Sequence, residues 1–422
     1  MVGINKNAEN IKASATLAIN QEVNELKSLG NDIVHFGFGK SPFPIHESIV
    51  SALQFNAPNN DYLSTLGLKE LRIQISNFLE NHQNIKRNWN NIFIGPGSKE
   101  LLYQTILLLE GVFLIPKGSW VSYLPQVKLK GGLVNILDTS IDHNFKLTAD
   151  TLELACIEHS ADQKILILNS PNNPTGAIYS DKELIKLAEI CRKYKVIILS
   201  DEIYSQINFT ANYSPSISLH YPEGSIVFGG LSKVFSAGGY RLGFIALPEE
   251  LKFLNKTYRA LFSETFSAVA APIQFAAVEA YRMNETLRAY IQQCASILKG
   301  IATYIYNTLQ ELHIQCTQPQ GAFYMLIGFS KYKSRINALG ITTSSQLCMH
   351  LLKKHNVALL PGSDFYFDDE ELFLRLAYVD FDGEKSLKNL EDNDPNSYDF
   401  ILHNCPKIIQ GIDSLKAFIN KL

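Results

Sequence analysis

Lys233 lies in "GGLSKVFSAGGYRLGF" (229–244), among small residues, with few carboxylates near it in sequence and with Arg241 following. A buried lysine is costly unless something neutralises or bonds it. Its amine can form a Schiff base with an aldehyde cofactor; a surface lysine in a glycine-rich loop is the plainer alternative. Three further stretches set polar groups directly after apolar runs. "PGSKE" (96–100) opens a helix whose free amides and dipole suit a phosphate, unless Ser98 is simply its N-cap. "SPNNPTG" (170–176) places two asparagines before Pro-Thr-Gly, residues that also make ordinary turns. "DEIY" (201–204) ends a hydrophobic run in an acid, which is costly unless it meets a cation such as a protonated pyridine ring, or else caps a helix.

The whole chain narrows the chemistry. Its 422 residues are 46% hydrophobic and 19% charged, with a net charge of −3. That is length for two or three domains' worth of packed core, with no electrostatic reason to expect nucleic acid or an anionic membrane as partner. A small-molecule partner is favoured. "MVGINKNAENIKASATLAIN" lacks the apolar segment of a signal peptide and no run is long and charge-free enough to span a bilayer, so a cytoplasmic protein is expected. Cys156, Cys191, Cys294, Cys316, Cys348 and Cys405 form no CxxC pair and read as reduced, mostly buried thiols. His350 and His355 in "HLLKKH" do not share a helical face as a metal-binding pair would, so no metal is expected.

These residues need elements to hold them. Between about 90 and 250 the runs "NIFIG", "VFLIP", "GLVNIL", "KILILN", "VIILS", "SIVFGG" and "RLGFIAL" alternate with helical patterns such as "SKELLYQTILLLEG" and "DKELIKLAEICRKY". Continuous apolar runs suit strands buried on both faces, so the pattern predicts an α/β fold around a mainly parallel sheet. Ligands collect beyond the carboxyl ends of such strands, where the four polar stretches fall. The texture after about 285 predicts a smaller α+β domain; we place a large domain at 45–285 and the small one at 1–44 with 286–422. "EDNDPNSYD" (391–399) reads as an exposed loop.

Taken together and in this order, "NSPNNPTG", "SDEIY" and "LSKVFSAGGYRLGF" resemble the fold-type I, class I/II aminotransferases that use pyridoxal 5'-phosphate, and look most like the bacterial aspartate/prephenate branch. "IKASATLAIN", "YLSTLGLKELR", "SWVSY", "GAFYML", "LLPGSDF" and "FLRLAY" extend the resemblance over nearly the whole chain. It implies a seven-stranded sheet in the large domain, Lys233 as Schiff-base lysine and proton carrier, and Asp201 paired with the pyridine nitrogen. Tyr204 and Asn173 would bond the phenolic oxygen of the cofactor. Arg241 with Gly97, Ser98 and Lys99 would hold its phosphate, and Trp120 would stack on its ring or serve as a core aromatic. Arg375 would grip the substrate carboxylate through a bidentate fork, beside Gly39, Trp120 and Asn173. Thr16 and Lys99 match residues that take a distal carboxylate, implying aspartate/oxaloacetate or glutamate/2-oxoglutarate as one substrate pair. Tyr62 would reach the phosphate from a neighbouring subunit, so a homodimer is implied.

The chain also departs from the family pattern. Gly230 replaces a frequent serine of the phosphate site, "GKSPF" replaces GEPDF so that Lys40 and Ser41 alter the edge of the substrate pocket, and the 391–399 loop lengthens the C-terminal region. A lyase on the same cofactor is the rival within enzymes, because the fold hosts several chemistries. A ligand-sensing regulator is the rival of another class.

Overall fold

The apolar runs between 90 and 250 become seven strands: β1 (Ile92–Gly95), β2 (Val112–Pro116), β3 (Leu133–Leu137), β4 (Lys164–Asn169), β5 (Ile197–Asp201), β6 (Ser225–Gly230) and β7 (Gly243–Ala246). The computed structural model describes residues 3–9, 15–390 and 393–422, the side chains of 15–18 excepted. The strands form one sheet in the order β1-β7-β6-β5-β4-β2-β3. All neighbours are parallel except β7, which runs antiparallel to β1 and β6. Every residue of β2, β4 and β6 is buried, as helices on both faces require. The run "GLVNIL" departs from expectation: β3 lies at the sheet edge, and Leu133 is 66% exposed because only β2 covers its flank.

Local chemistry sets the helix ends. Asp181–Tyr194 opens with a capping box in which the Ser180 and Glu183 side chains satisfy each other's backbone amides, and closes at Lys195 in the left-handed conformation. Ser98–Leu108 is different: its N-cap is Gly97, with no side-chain cap. Ser98 is therefore the first helical residue and not the cap that its residue type allowed.

After residue 285 a long helix, Glu285–Glu311, buries a stripe at three- and four-residue spacing, from Leu287 and Ile291 to Ile305 and Leu309. Four more strands, β8 (Gln315–Cys316), β9 (Tyr324–Gly328), β10 (Leu360–Pro361) and β11 (Phe373–Ala377), form an antiparallel sheet in the order β10-β11-β9-β8. Val34–His35 pairs in parallel with Val357–Ala358, returning the N-terminal part of the chain to these later elements. One apolar cluster runs from Val34 through Phe235 and Tyr281 to Leu374 and Phe418, so both sheets stand on continuous packing. Of the expected C-terminal loop, residues 391 and 392 lie outside the description, and Tyr398–Asn404 is already helical. Among the described residues, no helix is long and apolar enough to cross a membrane.

Candidate active site

The carboxyl ends of β4, β5 and β6 bring three of the polar stretches together. Asn169 and Asp201 end adjacent strands in register, and Lys233 follows β6 by a short turn. They open on a cavity of about 500 Å³. The Lys233 ammonium donates to Gly39 O at 2.6 Å and lies over the rings of Tyr204 and Phe323, 5.8 and 5.4 Å from their centroids. Gly39 must be glycine here, because a Cβ would collide with the Tyr324 hydroxyl.

One wall is built to hold an anion. The uncapped start of Ser98–Leu108 leaves the amides of its first turn without a side-chain acceptor, at the positive end of the helix dipole. Gly97 has φ 98°, and a Cβ on it would collide with the Arg241 guanidinium, so this glycine lets the two cationic features converge. Gly243 serves the same approach, since a Cβ there would sit 2.5 Å from Ser98 N. Among the described residues, Arg241 bonds only backbone oxygens, Gly238 O at 3.0 Å and Pro96 O at 3.3 Å. Lys99 is exposed as a residue, and its ammonium lies over Trp120, 5.4 Å from the ring centroid. Partial burial first, and Arg241 second, lower its pKa. Gly230 has a steric reason too: a Cβ there would meet Leu242 O at 2.7 Å, leaving no room for the serine of the family pattern. Ser232 supplies a hydroxyl to the cavity nearby.

The floor is a buried carboxylate. Asp201 is 3% exposed, and burial raises its pKa to about 6 against the Tyr123 hydrogen bond, the Ile203 amide and the nearby Lys233, which lower it. Tyr123 Oη donates to Asp201 Oδ2 at 2.6 Å, and Asn169 Nδ2 donates to Asp201 O at 2.8 Å. The aspartate caps no helix. Trp120 stands edge-on to Tyr123, with ring centroids 5.4 Å apart, and presents its ring to the cavity. Tyr204 and Tyr324 pair through their hydroxyls at 2.9 Å, while Asn169 Oδ1 accepts from Asn173 N at 2.9 Å.

Arg375 on β11 forms the far wall. It is 1% exposed, donates to Gly37 O at 2.5 Å and to Asn173 Oδ1 at 3.3 Å, and lies over Tyr324 and Phe365. Among the described residues, its buried Nε has no hydrogen-bond partner. Lys40 reaches the cavity edge as expected, whereas Ser41 turns away to bond Ser236 Oγ at 2.8 Å.

Of the residues that the resemblance assigns to cofactor or substrate, all but three line this one cavity. Gly97 stands behind it as the close-approach point for Arg241. Tyr62 is 98% exposed and outside it. The side chain of Thr16 lies outside the described residues. Tyr123 and Tyr324 were missed, although both sit inside quoted motifs, "SWVSY" and "GAFYML"; nothing in their spacing announces a partner 78 or 120 residues away.

This geometry has known counterparts. Residues 31–407 match the family described as aminotransferase class I and II. The chain is 31% identical to an aspartate aminotransferase of Bacillus subtilis over 89% of this chain and 94% of that one. It is also 31% identical to a probable aspartate/prephenate aminotransferase of Rickettsia typhi, with the same coverage of both. Among solved structures, an aspartate aminotransferase from Thermus thermophilus with maleate superposes with a TM-score of 0.83 at 24% identity, covering 98% of this chain and 100% of that one, a match of fold.

Proposed function

The chain belongs to the class I and II aminotransferase family, with its fold-type I architecture, and from that membership we propose a pyridoxal 5'-phosphate-dependent enzyme that moves an amino group between an L-amino acid and a 2-oxo acid. One of its substrate pairs is acidic, aspartate/oxaloacetate or glutamate/2-oxoglutarate, and it works as a cytoplasmic homodimer. Six free cysteines, five of them buried, fit a reducing compartment.

The charge balance of the cavity carries the substrate reading. Among the described residues, Lys40, Lys99, Lys233, Arg241 and Arg375 line it against one carboxylate, Asp201. Among the described residues, no acid forms an ion pair with Lys40, Lys99 or Arg241. A phosphate answers Arg241 and the uncapped helix start, and a substrate α-carboxylate answers the Arg375 guanidinium on the cavity wall. Lys40 and Lys99 then remain for a second carboxylate.

The residues fit the cofactor. The close approach of Arg241 at Gly97, the first-turn amides, the Lys233 amine and the buried Asp201 are what its phosphate, its aldehyde end and a protonated ring nitrogen would need. When bound, the group supplies an electron sink for the pair left when Cα loses its proton. The protein supplies the rest. Lys233 Nζ is the attachment point and afterwards the base that moves the Cα proton. Asp201, whose charged form the Tyr123 hydrogen bond favours, would be the carboxylate that holds a proton on the ring nitrogen. Trp120, Tyr204 and Asn173, which line the cavity, would hold the ring.

The test is to supply aspartate, glutamate, alanine and aromatic donors and measure 2-oxo acid formation with and without an acceptor. Transamination predicts ping-pong kinetics, a preference for the acidic donors and no turnover without an acceptor. Acceptor-independent release of oxo acid beyond one equivalent per site would replace transamination by a lyase reaction.

A further inference from the structure

Tyr366 has φ 73° at the end of the turn Gly362–Phe365, a left-handed conformation that costs a non-glycine residue about 1 kcal/mol or more. Its phenol reaches across to another element. It donates to Trp120 O at 2.6 Å and accepts from Leu124 N at 3.2 Å. Helix Tyr123–Lys130 has no side-chain cap of its own at Ser122, so the Tyr366 hydroxyl satisfies one of its orphan amides from outside. Next to it in the chain, Phe365 O accepts from Gly118 N at 2.8 Å, a second tie to the same region.

The segment held in this way carries two groups of the active site. Trp120 presents its ring to the cavity, and Tyr123 donates to the buried Asp201 carboxylate at 2.6 Å. Tyr366 itself does not line the cavity. A residue that needed only to fill space there would not require a hydroxyl, and one that needed only to turn the chain would be better served by glycine.

We propose that Tyr366 is a positioning residue: it fixes the Trp120–Leu124 turn so that the Trp120 ring and the Tyr123 hydroxyl are set in place against the cofactor and Asp201. The proposal rests on the cofactor reading above. It extends that reading to a residue outside the cavity, on the turn that also places Phe365 against Arg375.

The test titrates pyridoxal phosphate into the cofactor-free wild type, Tyr366→Phe and Tyr366→Asn. Affinity, the pH dependence of the bound-cofactor absorbance and the melting midpoint of the cofactor-free protein are recorded. Phe removes only the hydroxyl; Asn accepts the positive φ but is too short to reach Trp120, and it keeps the test readable if the Phe variant misfolds. Both variants are expected to bind the cofactor about tenfold more weakly, as for loss of one to two neutral hydrogen bonds. The pH at which the absorbance changes should move in both, with the cofactor-free midpoint of Tyr366→Phe close to wild type. Wild-type affinity and pH profile in Tyr366→Phe overturn the proposal. Weakened binding with an unmoved pH profile overturns it too, since that is what a merely loosened fold gives. Wild-type protein that takes up no pyridoxal phosphate brings down the cofactor reading and this proposal with it.

Discussion

Asp201 is a carboxylate kept where charge is poorly tolerated. Burial lifts it from the ordinary 3.8 to about 6, and lifts its neighbour Glu202 from 4.5 to about 7 despite hydrogen bonds from Ser216 and Ser200. Both groups hold a proton more tightly folded than unfolded. Between about pH 4 and 7 the folded chain therefore binds more protons, and the stability of the cofactor-free enzyme falls as pH rises through that window. For Asp201 the difference is worth roughly 3 kcal/mol. Cofactor-free Asp201→Asn should accordingly melt higher than wild type at pH 8 and no higher at pH 4, while losing most turnover. A lower midpoint at pH 8 would mean that this carboxylate is already compensated without the cofactor. The cations at the cavity edge allow a second residue-scale prediction. Lys99→Ala and Lys40→Ala should each raise KM for aspartate or glutamate about tenfold while changing KM for alanine little, as expected for loss of a charged hydrogen bond. Equal effects on acidic and neutral donors would remove these lysines from substrate recognition.

At the scale of elements, the helix start after β1 shows what one glycine permits. Gly97→Ala adds a Cβ that collides with Arg241 at a φ of 98°, so it should push apart the two halves of the phosphate site. Affinity for pyridoxal phosphate should fall more than tenfold while affinity for pyridoxal, which lacks the phosphate, changes little; equal losses would place the anion contact elsewhere. The stretch was legible in sequence as a helix opening beside a strand, but its cap was not, because Ser98 has the residue type of a cap and Gly97 the backbone. The same division holds across the fold. Long apolar runs announced β2, β4, β5 and β6, and the polar residues just after them became the site, because buried strands leave only their ends to solvent. The two-residue strand β8 is too short to carry a period, and "GLVNIL" is as apolar as a central strand although its neighbours leave it at the edge. Pairings such as Tyr123 with Asp201 exist only once the sheet has brought distant segments together.

For the whole molecule the question is what covers Tyr62. It is 98% exposed, and Phe55, not far before it in the chain, is 86% exposed. A second copy of the chain, placing its Tyr62 at the phosphate end of the first cavity, would account for both the exposure and the family resemblance. In a two-fold dimer each site would then take Lys233 from one subunit and Tyr62 from the other. Tyr62→Ala and Lys233→Ala homodimers should both be impaired, the second completely. Co-expressed in equal amounts, they should form mixed dimers in which one site carries both lesions and the other carries none. About half of the dimers would be mixed, so about a quarter of all sites should recover wild-type turnover. If Tyr62 instead served its own subunit, mixing would yield only the average of the two parents. Recovery above that average, in a species that sediments as a dimer, is the result we expect.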